Sequence, residues 1–136
     1  MCVSPAAKYT TAIVVAHLLV NIAHGLAHPE LGVGLSPPDS IFVIVVILIA
    51  PLLAMTLLWT AKKRPSLILL SLSMFGSLLF GLYHHFLEVS SDHVRSQPRN
   101  LWGMAFVLTA YLLLITEAIG TYVGVQFLRI TKELGS

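Results

Sequence analysis

The sequence predicts an all-α integral membrane protein, with four transmembrane helices in an antiparallel up-down bundle. Three observations predict this. Of its 136 residues, 57% are hydrophobic and only 10% are charged, where an ordinary soluble domain carries about 25% charged residues. Four stretches are long and apolar enough to cross a hydrocarbon core, which takes about 20 residues. Proline, glycine and polar turns separate those stretches. One domain, residues 1–136, is the expected organisation at this length.

Span one is expected at about residues 9–28, closed by Pro29, because a proline pushes the residue before it out of helical geometry. Lys8, the apolar run Ala12–Val20, Ala23 and Ala27 also fit the outline of a signal peptide; the segment is read as a retained helix. A loop holding Gly32, Gly34, Pro37 and Pro38 follows. Span two is expected at about residues 40–61, capped by Asp39 or Ser40 and kinked at Pro51. Lys62, Lys63, Arg64 and Pro65 make a tight polar turn, and Ser66 is expected to cap span three at about residues 66–90. A polar loop leads to span four at about residues 101–128. There Gly103, Ala110, Glu117 and Gly124 recur every seven residues, with Gly120 on the same side. Small residues in that rhythm let helices approach closely.

Basic residues set the orientation. Lys8, the Lys62–Arg64 turn, Arg129 and Lys132 place both termini in the cytoplasm, against Arg95 and Arg99 on the other side. The chain is thus expected as a multi-pass protein of the cell (inner) membrane. Tyr83, Phe86 and Trp102 near the outer boundary, and Trp59 near the inner one, read as aromatic belts. The single Cys2, read as a plain thiol, excludes an internal disulfide framework and any CxxC site. No basic patch suggests nucleic acid. Expected partners are the lipid bilayer and either further copies of the chain or a larger membrane complex.

Function is legible in the histidines. Imidazole is costly in hydrocarbon without a partner, so an intramembrane histidine marks a functional site by default. His17, Asn21, His24 and His28 fall in one stripe of roughly 60° on span one. On span three, Ser77, Gly81, His84 and Glu88 share a face of similar width, flanked by His85. Spans one and three run the same way, so their histidine-bearing ends lie in one leaflet, the outer one. His24, His28, His84, His85 and Glu88 are therefore the expected metal ligands, with Glu88 also the candidate catalytic carboxylate. Asp92, His93 and Glu30 are expected just outside, as supporting groups or an entry funnel. His17, roughly 16 Å deeper than His28 at 1.5 Å per residue, cannot share its ion. With Asn21 and Glu117 it forms a second, deeper candidate set for cofactor binding, in which Glu117 pairs with His17 or stays protonated.

Imidazole with carboxylate suits zinc or iron, and copper also accepts imidazole. The arrangement resembles in kind the His-and-carboxylate sites between facing helices of four-helix bundles. An open position on the ion would serve a reaction on a lipid-like or small polar substrate. The rival cofactor is haem b held by two axial histidines; in size and span count the chain resembles small four-span b-type cytochromes. A proton or metal-ion transporter, with Glu117 on its inner leg, and a structural subunit, with the histidines on pigment or partner, are the other readings. No HExxH, no phosphate-binding glycine loop and no Ser-His-Asp context is present.

Overall fold

The computed structural model describes residues 4–60 and 62–133. Cys2, and the Ala61 end expected for span two, lie outside the described residues. Among those described there is no strand, and four helices are long and apolar enough to cross a membrane. They are α1 (Pro5–Glu30), α2 (Pro37–Leu58), α3 (Lys63–Leu87) and α4 (Leu101–Glu133). α4 packs against both α3 and α1, and α2 packs against α3. Core clusters form around Val14, Ala54, Leu70 and Met74, and around Ala7, Leu58 and Leu67.

Capping chemistry moves several helix ends from their expected places. α1 starts earlier because the Ser4 hydroxyl accepts from the Ala7 N–H at 3.2 Å and Pro5 fits the first turn. It also runs through Pro29 to Glu30. A proline in a last turn costs one backbone bond, and the end is closed regardless. The Val33 N–H donates to the His28 carbonyl (2.9 Å) and the Gly32 N–H to that of Pro29 (3.2 Å), with Gly32 left-handed at φ 64°. That six-to-one and five-to-two pair needs glycine at its turning point. α2 is capped by Ser36, not by Asp39 or Ser40: the Ser36 hydroxyl accepts from the Asp39 N–H at 3.3 Å. Ser66 caps nothing. It lies inside α3, fully buried, and donates to the Ala54 carbonyl of α2 at 2.5 Å.

Pro51 is accommodated by a widened, π-type turn at Val43–Ile49, directly before it. Such turns and prolines are the usual sources of helix distortion. Pro51 has no N–H to offer the Ile47 carbonyl four residues back. His17 Nε2 lies 3.2 Å from that carbonyl and, when protonated, donates to it. Thr116 Oγ1 stands 3.5 Å from the other ring nitrogen; in the opposite tautomer Nε2 would instead accept from Asn21 Nδ2, 3.0 Å away. With the proton on Nε2, His17 has a structural duty at a proline. His17→Leu is expected to destabilise by about 1–3 kcal/mol, the cost of orphaning a buried polar group. In a Pro51→Ala background the loss should shrink, because the new N–H can serve Ile47. Denaturant unfolding of the four proteins of this double-mutant cycle in detergent checks the coupling; equal losses in both backgrounds would dismiss it.

Candidate metal centre

Four segments deliver the side chains that meet at the Glu30 end of α1. α1 presents His24 and His28 one turn apart. α3 ends in a second widened turn, Tyr83–Leu87, and its inward row is Ser73, Ser77, Gly81 and His85. After Leu87 the chain leaves the helix, with Glu88 extended (φ −74°, ψ 127°). The loop then turns back and buries Asp92. It is tied down by its own polar groups. His93 Nε2–H donates to the Phe86 carbonyl at 3.2 Å, and its Nδ1 accepts from the Arg95 N–H at 3.0 Å. Gln97 Nε2 donates to the carbonyls of Ser91 (2.7 Å) and His93 (3.1 Å). α4 supplies Phe106 and Thr109.

His24, His85 and Asp92 each offer a ligand atom, and all three atoms lie within 4.8 Å of one another; the group could hold a metal ion. All three residues are buried. His28 adjoins the group, its Nε2 3.6 Å from Asp92 Oδ1. The rings of His24, His28 and His85 surround Phe106, with centroid separations of 4.5, 5.3 and 5.5 Å. His85 Nδ1–H donates to the Asp92 backbone carbonyl at 3.2 Å and stands 3.4 Å from Oδ1. Neither Asp92 carboxylate oxygen has an aligned donor among the described residues. Burial alone would raise the Asp92 carboxyl, but His85 beside it, with His28 and His24, holds it below the ordinary carboxylate range.

Its neighbour favours one tautomer of His24. The Thr109 hydroxyl is placed to donate to the carbonyl of Ala105 or Phe106, at 2.7 and 3.0 Å. It is then an acceptor for His24, whose Nδ1 lies 2.8 Å away. A proton on Nδ1 leaves Nε2 with its lone pair, and Nε2 is buried with no hydrogen-bond partner. This is the orientation that metal-binding imidazoles adopt when an outer group holds the other nitrogen. Thr109→Val keeps the shape and removes the acceptor. A metal affinity lower by about 10–100-fold, measured by competition with a chelating dye, is the expected result; an unchanged affinity would remove Thr109 from the site.

The expected ligand set divides in two. The structure brings His24, His28 and His85 together and leaves His84 and Glu88 elsewhere. His84 Nδ1 is 2.8 Å from Glu88 Oε2, and its Nε2 is 3.8 Å from Asp39 Oδ1 at the start of α2. The reason is local: adjacent helical residues point about 100° apart, and the row at four-residue spacing carries His85 inward, not His84. Glu88, expected as the catalytic carboxylate, sits partly exposed with His84. Asp92, expected outside the ligands, is one of the three group members, while Glu30 is exposed. In the deeper set, Asn21 and Glu117 line one cavity and His17 does not. The expected His17–Glu117 pair does not form: His17 faces Ile47, Asn21 and Thr116, and Glu117 Oε2 has no partner among the described residues. Thr109 and Phe106 were invisible to ligand spacing.

Compared with protein-family models, curated proteins and solved structures, the chain matches none.

Proposed function

We propose that this chain is a membrane-embedded transition-metal-binding protein whose ion is held by His24, His85 and Asp92, with His28 as a neighbouring fourth donor. The observation that carries the proposal is that ligand atoms of His24, His85 and Asp92 lie within 4.8 Å of one another in a buried site, where His24 Nε2 has no hydrogen-bond partner among the described residues. A buried acceptor without a donor is costly, and a cation answers several at once. Two imidazoles and one carboxylate form the donor set of non-haem iron(II) sites, and they also suit zinc. Either ion, with a coordination position left open, would polarise a bound oxygen as a Lewis acid, the enzymatic reading of the site. Haem is the weaker fit. The His24 and His85 rings touch edge to face, 4.8 Å between centroids, which leaves no space between them for a macrocycle.

Membrane insertion is part of the same proposal. The outward faces carry large apolar side chains such as Leu19, Ile44, Leu72 and Leu108, more than a water-soluble surface tolerates in continuous bands. An up-down arrangement is supported by contacts at opposite ends. Trp59 Nε1–H reaches Thr11 Oγ1 (3.2 Å) near the start of α1, while Asp39 meets His84. The basic Lys62–Arg64 turn, read as cytoplasmic, supports an outer-side position for the metal end.

Elemental analysis of the purified protein tests the reading. About one zinc or iron per chain, removable by chelator and restored by the ion, is the expected outcome. Failure to take up either ion after reconstitution would overturn it.

A further inference from the structure

The cavity beside the metal-binding group is larger than an ion needs. It measures about 320 Å³, within the range of roughly 300–1,000 Å³ typical of small-molecule sites. It exists because α1 packs along the second half of α2, Ala50–Leu58, and stands off from the first half, where the widened turn lies. Leu18 and Ile22 of α1 and Val43 and Ile47 of α2 make its apolar walls. Glu117 lines it from α4, 2% exposed, with Oε2 lacking any hydrogen-bond partner among the described residues.

Glu117 and the metal-binding group are close enough to share one small head group. A Cβ placed on Gly81 would lie 3.7 Å from Glu117 Oε2 and 3.8 Å from His85 Cδ2. The absence of a side chain at Gly81 keeps that intervening space free.

We infer that the cavity binds a single-chain amphiphile with a hydroxyl head, the hydroxyl donating to Glu117 and its oxygen facing the metal-binding group. The second half of this statement rests on the metal reading above; the first half does not. The head group follows from the walls. A carboxylate head would meet Asp92 and Glu117 at close range, and an ammonium has no lone pair to give a metal. A hydroxyl is both donor and acceptor. The chain then runs between Ile22 and Val43 toward the gap between the helices. Gly25 lies on that route, and a Cβ there would meet nothing within 4 Å.

The test uses the full chain in lipid nanodiscs and a photoreactive octan-1-ol carrying a diazirine on its alkyl chain. Labelled residues are mapped by mass spectrometry. Labelling is expected at Leu18 and Ile47, suppressed by unlabelled octan-1-ol and not by octane. Glu117→Leu should lower it by about tenfold or more, the worth of one hydrogen bond to a buried carboxyl group. Gly25→Phe, which fills the route from an open helix surface, should lower it without touching either polar end. Equal labelling of the outward-facing Leu19 and Leu72, or cavity labelling that octane suppresses as well and Glu117→Leu leaves unchanged, would overturn the proposal. Metal content measured on the same samples separates the two readings. Bound metal without cavity labelling overturns the amphiphile alone; cavity labelling that obeys Glu117 in protein unable to take up metal supports the Glu117 half and overturns the metal reading.

Discussion

His24→Ala is expected to empty the metal site, while His84→Ala leaves it filled. The two histidines look alike in sequence, each near the end of an apolar helix and each four residues from another candidate ligand. Their surroundings differ. His24 Nε2 is buried and unpartnered, with Thr109 holding the opposite nitrogen. Both ring nitrogens of His84 instead face carboxylates, those of Glu88 and Asp39, in a partly open setting. Losing an outer-shell partner weakens metal binding by about 10–100-fold, so losing a direct ligand should exceed about 100-fold. His85→Ala and Asp92→Asn should follow His24→Ala. Chelator competition with elemental analysis reads the whole series. Should Glu88→Gln and His84→Ala empty the protein while His24→Ala does not, the His84–Glu88–Asp39 group becomes the metal site and the assignment made here fails. If every variant keeps its metal, the ion is held elsewhere.

The helices themselves were legible because hydropathy is a property of long windows, and each of the four windows is strongly apolar. Their ends were not, because ends are decided by single side chains. Ser4 and Ser36 each precede a proline, and that pairing of cap and first-turn proline starts α1 and α2 earlier than hydropathy alone suggests. The convergence of the α1 and α3 histidines was expected from reading the two spans as running the same way, which needs no atomic detail. The choice between His84 and His85 did need it. A wheel at 100° per residue favoured His84 with Glu88, yet the inward row of α3 steps by four residues into a widened last turn and delivers His85. Asp92 lay beyond any periodicity argument because a loop carries it, and loops place side chains through turn hydrogen bonds, not helical phase. His17 is the instructive case. Its place in the polar stripe suggests a cofactor role, and its ring lies 3.2 Å from the Ile47 carbonyl, which Pro51 has no N–H to serve. The two residues are far apart in sequence, so nothing local could link them.

Gly103→Ala should damage both stability and metal binding, although Gly103 touches no candidate ligand. It is the third residue of α4, and its N–H donates to Asn100 Oδ1 at 2.8 Å. A methyl group there would overlap the Pro98 backbone carbonyl and press on the Pro98 ring, at 3.3 Å from its Cδ. No rotamer can relieve an overlap with backbone, so either the 97–100 segment or the first turn of α4 must move. Overpacking of this kind costs about 1–3 kcal/mol. The displaced segment is the one that holds Asp92 in place, because Gln97 anchors the carbonyls on both sides of Asp92, those of Ser91 and His93. Asp92 lies within 4 Å of two imidazoles, and a misplacement on the scale of the overlap takes its carboxylate out of ligand range. Metal affinity is thus expected to fall together with the unfolding free energy. Gly25→Ala is the control. It adds the same methyl group to a glycine whose Cβ position is open, and it should be neutral or stabilising by up to about 1 kcal/mol through helix propensity. Denaturant unfolding and dye competition on both variants give the comparison. Wild-type stability and metal affinity in Gly103→Ala would mean that the seat of the loop on α4 does not position Asp92; lost stability with intact affinity would confine the role of Gly103 to the packing of α4.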